Sequence, residues 1–267
     1  MTYETYPSRN KSALINEYFE LSFSHSDIPF QSTILPVAMP TISFIKKGVI
    51  EAKTKDKNYN LEGIILTGQF FRSYSIEANE VYKGVGITLH PTTLYKLLDK
   101  DISKLSNRHI ALKEVSMALN TAIATVIESD LIGEKTLIAL EKKLKTIVNS
   151  KDENINEIDR AVNIIIKRKG LISVNELIDK MSISQKTLET HFKKMVGLTP
   201  GRFIKLNRFF NLMQKFQNQD INFKNLLFKY NYYDEAHFYK DFKLFMNDTP
   251  KSFMKKETEF LKKYIKG

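Results

Sequence analysis

The chain has no cysteine among its 267 residues. It therefore can form no disulfide, offers no thiolate nucleophile and builds no cysteine-ligated zinc site, and this composition suits the reducing cytoplasm. An apolar run of about 18 residues, the length that a membrane-spanning helix needs, does not occur. The first ten residues do not read as a signal peptide. The sequence thus predicts a cytoplasmic protein.

Motifs of the common enzyme classes are also missing. The sequence contains no glycine-rich phosphate loop, no Gly-x-Ser-x-Gly turn and no protein-kinase motif set. Its five histidines show neither His-x-His nor His-x-x-x-His spacing. His191 beside an apolar stripe is interpreted as structural, whereas His90 at a strand end could line a pocket. We therefore expect no catalytic residue, no metal site and no cofactor.

Positive charge is plentiful but unevenly distributed. The chain carries 41 Lys and Arg against 30 Asp and Glu, a net charge of +11. Residues 151–267 hold 23 basic and 14 acidic residues, an excess of nine, whereas residues 1–150 hold 18 and 16, an excess of two. A lysine-rich proteome explains part of the total but not the asymmetry. The C-terminal half is predicted to bind a polyanion.

A short pattern occurs twice in this basic half. Residues 192–203 (FKKMVGLTPGRF) and 242–253 (FKLFMNDTPKSF) share Phe, Lys, Thr, Pro and Phe at a constant offset of 50 residues. An internal repeat of this size indicates one supersecondary unit that is used twice.

Each copy has residues that begin and end helices at the positions expected for a helix-turn-helix unit. In the first, Ser184 begins a helix, Gly197 supplies a left-handed C-terminal residue and Thr199-Pro200 opens the next helix. In the second, Asp234 and Asn247 take the capping roles. A shorter helix forms the first part of each unit, at Val174–Lys180 and, capped by Asn222, at Phe223–Tyr230. Each is followed by a three-residue turn that leads into the repeated pattern.

At these residues the chain resembles the AraC/XylS family of bacterial transcription regulators. The resemblance implies a DNA-binding regulator whose N-terminal domain is sensory or oligomerising and often a cupin-like barrel. The chain lacks the cysteine with which one branch of this family accepts alkyl groups from DNA. Larger residues replace the usual Ala at Ile178, Leu212 and Leu227, Asn231-Tyr232 replaces Gly-Phe, and Ala236 replaces Ser. The matching residues are Ser184, Leu188, Phe192, Lys193, Gly197, Thr199, Pro200, Ile204, Arg208, Ile221, Asp234, His237, Phe238, Phe242, Lys243, Thr249 and Pro250.

The N-terminal half has a strand-like texture followed by helical periodicity. Residues 14–23 form an amphipathic stretch, and closely spaced short strands favour a small barrel or sandwich. The predicted strands are Thr33–Val37, Thr41–Ile45, Val49–Lys53, Gly63–Leu66, Phe70–Ser75 and Val85–Leu89. Helices are predicted at Thr92–Leu98, Val115–Ile127 and Glu134–Val148, of which the longer two close the domain or form a dimer seam.

The polar stretch Asn149–Asn156 is predicted to link two domains. We expect an α+β chain with a sensor or oligomerisation domain at 1–150 and an all-α DNA-binding domain at 151–267. The first is a strand-rich cupin-like or small-barrel domain with flanking helices, and the second contains two helix-turn-helix units. The helix around Ile158, Ala161-Val162 and Ile165 opens the second domain and ends at Lys169-Gly170.

The second helix of each unit should enter the major groove, and the two should read successive faces about one helical turn, ~34 Å, apart. Phosphate contacts position the protein and base contacts specify the sequence. A solvated face is the alternative for the lysines, and an ion pair is the alternative for Arg208. The resemblance to the family implies all of the predicted base-reading residues except Gln185, which is included because it faces outward. They are Gln185, Lys186, Glu189, Thr190, Glu235, Ala236, His237 and Lys240. The predicted phosphate-binding residues are Ser184, Lys193, Arg202, Lys205, Arg208, Tyr239 and Lys243.

Partners follow from these assignments. Double-stranded DNA is the expected partner, RNA polymerase and a small-molecule effector are candidates, and the protein could act as a monomer or homodimer. An effector pocket would be lined by Phe44, Phe70, Phe71 and Tyr82, unless these rings only fill the core. The alternatives to a regulator are a cupin-like enzyme or metal-binding barrel with an appended DNA-binding domain, and an architectural DNA binder without sequence preference.

Overall fold

The computed structural model describes residues 1–9, 14–129, 131–148, 152–218, 223–255 and 259–266. The strands are β1 (Thr2–Pro7), β2 (Ile15–Phe23), β3 (Phe30–Ile34), β4 (Thr41–Lys47), β5 (Ile50–Lys53), β6 (Asn58–Leu61), β7 (Ile64–Thr67), β8 (Tyr74–Ala78), β9 (Tyr82–Leu89) and β10 (His109–Ala111). The helices are α1 (Thr93–Leu98), α2 (Leu112–Val115), α3 (Met117–Ile127), α4 (Glu134–Ile147), α5 (Ile155–Lys167), α6 (Val174–Ile178), α7 (Gln185–Val196), α8 (Pro200–Asn218), α9 (Phe223–Lys229), α10 (Glu235–Met246), α11 (Pro250–Lys255) and α12 (Glu259–Lys266). The predicted α+β class is confirmed.

The strands form two antiparallel sheets. The large sheet has the order β1-β2-β9-β4-β7-β10, and the small sheet has the order β3-β8-β5-β6. Apolar side chains of both sheets, among them Leu21 and Ile45 from the large one and Ile50 and Ile76 from the small one, belong to one buried cluster. The strand-rich N-terminal half is therefore two sheets that share an apolar interior, as alternating short strands predict.

Several strands differ from the sequence prediction. The amphipathic stretch 14–23 is β2, in which Ile15, Tyr18, Leu21 and Phe23 are buried between exposed and half-buried positions. The strand expected at 70–75 begins only at Tyr74. Strands β1, β6 and β10 were not predicted. The polar strand β6 pairs with β5, and the three-residue strand β10 pairs with β7. Such pairing depends on partners elsewhere in the chain, so the local sequence does not predict it.

Helices α3 and α4 pack on each other, and α4 also lies against β2. The α4 side chains Leu137, Leu140 and Leu144 are buried in the main core, whereas Ile138 on the opposite side is 59% exposed. The apolar stripe of α4 is thus covered within the chain. This arrangement agrees with the intramolecular alternative for the two helices.

The predicted linker lies only partly within the structure. Residues 149–151 are outside the described residues, and α5 already begins at Ile155. Between them Asp152 accepts a hydrogen bond from the Tyr95 hydroxyl at 2.8 Å. One turn into α5, Asp159 forms an ion pair with Lys96 of α1 at 2.6 Å. Polar contacts therefore attach the start of the C-terminal half to α1.

Helix α5 leads into a left-handed turn at Lys169 and Gly170, whose φ angles are 55° and 71°. A Cβ atom at Gly170 would overlap the Ile204 carbonyl oxygen and the Arg208 nitrogen, both in the backbone of α8. Glycine is needed here for two reasons, because the backbone is left-handed and because α8 lies directly against it. The predicted glycine at the end of this helix is confirmed.

Substituting Gly170→Ala is expected to lower the free energy of unfolding by more than the ~1 kcal/mol that a left-handed alanine alone costs. The additional loss comes from the overlap with α8. Gly63→Ala is the matched control, since Gly63 has φ 68° and no atom within 4 Å of an added Cβ. Urea denaturation of both variants measures the difference, and equal losses would contradict the packing argument.

Candidate nucleic-acid interface and interior cavity

The first helix-turn-helix unit consists of α6 and α7. The Ser184 hydroxyl accepts a hydrogen bond from the Thr187 backbone N–H at 3.2 Å and so caps α7. The helix ends at Gly197, where φ is 89°. Its apolar stripe, Leu188, Phe192 and Met195, is buried. The local signals of the sequence therefore gave both ends and the inner face of this helix correctly.

The second unit consists of α9 and α10. An Asp234 carboxylate oxygen accepts from the His237 backbone N–H at 2.7 Å, and α10 ends at left-handed Asn247 with φ 51°. In the turn between the helices Asn231 has φ 56°, so it adopts the left-handed conformation that favours glycine and that asparagine tolerates next best. Asn222 and Ile221 lie outside the described residues.

The predicted base-reading side chains lie on the outer faces of α7 and α10. Seven of the eight are exposed, and the exception is His237, which is half-buried with its ring centroid 5.0 Å from that of Tyr232. Gln185 donates a hydrogen bond to Glu189 at 2.9 Å across one turn of α7. The exposed residues are Gln185, Lys186, Glu189, Thr190, Glu235, Ala236 and Lys240.

The predicted phosphate-binding residues are exposed, except for Arg208. Its guanidinium lies 3.2 Å from the Asp241 carboxylate and 4.6 Å from the centre of the Tyr232 ring. Tyr232 also donates to Asp241 at 3.1 Å, and burial raises the pKa of this tyrosine. Asp241 is 7% exposed and Arg208 14%. Arg208 thus joins α8 to α10 as an ion-pair partner, which favours the structural alternative. The exposed residues are Ser184, Lys193, Arg202, Lys205, Tyr239 and Lys243.

The C-terminal ends of α7 and α10 are held by two serines from the strand-rich half. Ser106 donates its hydroxyl to the Gly197 carbonyl at 2.9 Å. Ser73 donates its backbone N–H to the Phe245 carbonyl at 2.6 Å and its hydroxyl to the Met246 carbonyl at 2.7 Å. We call these three hydrogen bonds the serine clamp. They satisfy carbonyl groups that have no partner within their own helices.

The two clamp serines belong to neighbouring loops of the strand-rich half. The Phe71 backbone N–H donates to the Asn107 side chain at 3.2 Å, and the Asn107 backbone N–H donates to the Gln69 carbonyl at 3.2 Å. A Cβ atom on Gly197 would lie 2.6 Å from the Ser106 hydroxyl, so a larger residue there would displace this hydroxyl from the position in which it donates its hydrogen bond. Sequence reasoning missed the clamp, because isolated serines far apart in the chain carry no local signal.

A cavity of about 270 Å³ lies between the two sheets. Its wall is mainly apolar and aromatic, and helices α8 and α12 also contribute to it through Phe210, Gln214, Phe260 and Tyr264. Strand residues supply most of the remaining wall, which includes Tyr3, Glu17, Phe19, Ser43, Tyr74 and His109. Both halves of the chain therefore contribute to the wall of the same cavity.

Only one of the four side chains predicted to line an effector pocket is at this cavity. Tyr82 lines it, whereas Phe44, Phe70 and Phe71 are not among the lining residues. Phe44 and Phe71 pack against the main core, and Phe71 lies under the Arg202 guanidinium at 4.8 Å. The Phe70 ring packs against Tyr74 and His109, with centroids 4.7 and 4.9 Å away. Phe70 and Phe71 lie in the loop before β8 and not in the strand that the sequence predicted, and in β4 it is Thr41, Ser43 and Ile45 that line the cavity.

His109 is 6% exposed and is surrounded by rings of Tyr59, Phe70 and Tyr74. Burial lowers its pKa to about 4, so the ring is neutral near pH 7. Its Nδ1 is hydrogen-bonded to the Thr67 hydroxyl at 2.9 Å, and its Nε2 has no hydrogen-bond partner in the described part of the chain. This buried polar atom belongs to a cavity residue.

His90, the other histidine that the sequence placed at a pocket, lies elsewhere. Its Nδ1 is hydrogen-bonded to Thr92 at 2.9 Å, and burial lowers its pKa.

Among the described residues, no group of three or more His, Asp or Glu has the geometry to hold a metal ion. Within the same residues, none of the helices combines the length and the apolarity needed to cross a lipid bilayer.

Comparison with known proteins identifies the C-terminal part of the chain. Residues 177–256 match the model of a helix-turn-helix domain. A probable transcription factor, PqrA from Proteus vulgaris, is 24% identical over 104 residues, which cover 39% of this chain and 85% of that protein. The AraC-type helix-turn-helix domain predicted from the duplicated pattern is confirmed for these residues.

Solved structures of similar fold cover more of the chain at lower identity. ToxT from Vibrio cholerae is 13% identical with a TM-score of 0.48, over 97% of this chain and 100% of that one. A ToxT structure with bound unsaturated fatty acid is 15% identical with a TM-score of 0.44, over 95% and 98%. The AraC-like activator CuxR has 15% identity and a TM-score of 0.29, over 76% and 74%.

Removing the clamp hydroxyls is expected to destabilise the protein. Ser106→Ala and Ser73→Ala each leave a helix-end carbonyl without its donor, so each should lower the free energy of unfolding by about 1 kcal/mol. Ser129→Ala is the matched control, because Ser129 donates to the Val126 carbonyl at 2.6 Å at an exposed site. Urea denaturation should give a change within about 0.5 kcal/mol for this control. Losses no larger than the control would contradict a structural role of the clamp.

Proposed function

We propose that this protein is a sequence-specific DNA-binding transcription regulator whose N-terminal domain binds a small molecule. The observation that carries the proposal is the pair of recognition helices, α7 and α10, with exposed polar outer faces in one AraC-type domain. A regulator of this kind acts in the cytoplasm, where its DNA is. We assign no enzymatic reaction to it.

The proposed base-reading residues have mixed charge, which suits discrimination between bases. Glu189 and Glu235 can accept a hydrogen bond from the cytosine amino group, and Thr190 can contact a thymine methyl group. Acidic side chains are also repelled by the DNA phosphates, so they weaken binding to DNA sites in which no base donates a hydrogen bond to them. Lys186, His237 and Lys240 complete the two reading faces, with Gln185 oriented by Glu189 and Ala236 leaving room for a base.

The proposed phosphate contacts flank these faces. Lys193, Arg202, Lys205 and Lys243 supply positive charge, and Tyr239 and Ser184 supply hydroxyl groups; this set leaves out Arg208. A cationic contact of this kind releases a counterion from DNA and positions the protein without reading the sequence. The concentration of basic residues in the C-terminal half supports this role.

The proposed domain organisation is a ligand-binding domain at 1–150 and a DNA-binding domain at 151–267. The cavity between the sheets supports a small-molecule site, because concave and mainly apolar pockets with a few polar groups are typical of such sites. Side chains of α8 reach the cavity wall, so the ligand site adjoins the helix that connects the two helix-turn-helix units. RNA polymerase as a partner and a monomer or homodimer as the active form belong to the same proposal.

The first experiment is selection of genomic DNA fragments by the full-length protein at fixed salt, followed by sequencing. We expect a motif with two short blocks about one helical turn, or ~34 Å, apart. Glu189→Ala should change base preference in one block and Glu235→Ala in the other, each at a cost of about 1–3 kcal/mol for the preferred base. An unchanged motif in both variants would contradict the base-reading assignment, and recovery of no motif would contradict the regulator itself.

Lys193→Ala is expected to weaken binding to all DNA sequences alike, because this residue is assigned to a phosphate. The slope of log affinity against log salt concentration should become less steep by about 0.9. Lys135→Ala is the matched control, since Lys135 is an exposed lysine of α4 in the other half of the chain. Fluorescence anisotropy between low and moderate salt measures both slopes. A sequence-dependent loss would instead make Lys193 a base reader.

A further inference from the structure

One wall of the cavity carries a continuous polar row. Across the large sheet Glu17 pairs with Thr88, Thr88 with Thr41, Thr41 with Thr67, and Thr67 with His109. Paired residues of antiparallel strands point to the same face of a sheet, and all five of these residues line the cavity. At the usual spacing between strands the row is roughly 19 Å long. It ends in a carboxylate on one side and an imidazole on the other.

The row is internally hydrogen-bonded near both ends. Thr88 donates its hydroxyl to Glu17 at 3.2 Å, and Thr67 is bonded to His109 Nδ1 at 2.9 Å. The pairing of β2 with β9 shifts between Ile15 and Glu17, an irregularity of the kind that re-aims side chains. The opposite wall is apolar, with Ile34, Ile50 and Ile76 from the small sheet. The cavity therefore has one polar and one apolar side.

The charge of the cavity is set by Glu17. The described residues that line the cavity include no Lys and no Arg, and within the described part of the chain no Lys or Arg forms an ion pair with Glu17. Burial raises the pKa of Glu17. Burial is also the main cause of the raised pKa values of Tyr3 and Tyr264, to which the negative charge of Glu17 adds. His109 at the other end of the row is neutral.

These surroundings select the polar group of a ligand. A ligand carboxylate would find no Lys or Arg among the described residues of the wall, and it would face a second carboxylate in a mainly apolar cavity, which is unfavourable for both charges. An alcohol or ammonium group instead donates a hydrogen bond to Glu17, and the ammonium also compensates its charge. The rest of such a ligand would be apolar, to match the aromatic and aliphatic wall.

We infer that the cavity binds an apolar molecule that carries an alcohol or ammonium group, that Glu17 accepts the hydrogen bond of this group, and that the site discriminates against carboxylates. The inference rests on the small-molecule part of the proposed function and names its ligand class. Glu17 is the residue that determines the specificity, and the threonines of the row continue the polar wall towards His109.

Three probes with the same chain and different head groups test this inference on the full-length protein. Octylammonium, octanol and octanoate are titrated by isothermal calorimetry without DNA. We expect octylammonium to bind at least tenfold more tightly than octanoate, with octanol between them. Octanoate binding as tightly as octylammonium, or no binding of any of the three probes, would overturn the inference.

Variants connect the preference to the cavity. Glu17→Gln should reduce the ratio between octylammonium and octanoate at least tenfold while the affinity for octanol changes less than threefold, which shows that the cavity is intact. Glu80→Gln, an exposed glutamate in a turn, should leave all three affinities unchanged. Ser43→Leu places a larger side chain on the cavity wall and should weaken all three probes together. A ratio unaffected by Glu17→Gln would exclude Glu17 as the selecting residue.

Failure here is distinguishable from failure of the proposed function. Selection of a DNA motif without preference among the probes would overturn the ligand inference alone. The expected preference among the probes without any selected DNA motif would overturn the regulator and leave the cavity assignment standing.

Discussion

The arrangement of the two recognition helices depends on the carbonyl groups at their C-terminal ends. Every helix leaves its last carbonyls without partners inside the helix, and these groups need donors from elsewhere. In α7 and α10 the strand-rich half supplies some of them, through Ser106 and Ser73. Both helices are thereby attached to one pair of neighbouring loops of the strand-rich half.

A second constraint acts inside the helical half. The pair formed by Arg208 and Asp241 is nearly enclosed, and Tyr232 completes it from the turn before α10. Removing one member of such a pair leaves a buried charge without compensation, which is more costly than the pair itself is stabilising. The ion pair thus fixes α10 against α8, while the left-handed turn at Gly170 fixes α5 against the same helix. Elements of both helix-turn-helix units are thus positioned by contacts with the same helix, α8.

Sequence reasoning succeeded where the information is local. Ser184, Gly197, Asp234 and Asn247 mark the ends of the recognition helices, because capping depends on a few adjacent residues. It failed where structure depends on distant partners. Strand β10 exists through its pairing with β7, and the polar row from Glu17 to His109 is assembled from five strands. Three of the four side chains predicted to line a pocket do not line the cavity, and two of these, Phe70 and Phe71, lie in the loop before β8 and not in the predicted strand.

The shared cavity wall has a thermodynamic consequence. Phe210 and Gln214 of α8 and Phe260 and Tyr264 of α12 stand beside residues of both sheets, so a molecule in the cavity touches the helical and the strand-rich half at once. If occupancy changes the affinity for DNA by some factor, linkage requires DNA to change the affinity for that molecule by the same factor. DNA is then itself an effector of the cavity. A DNA-bound chain and a free chain would become half-saturated with the same small molecule at different concentrations of that molecule.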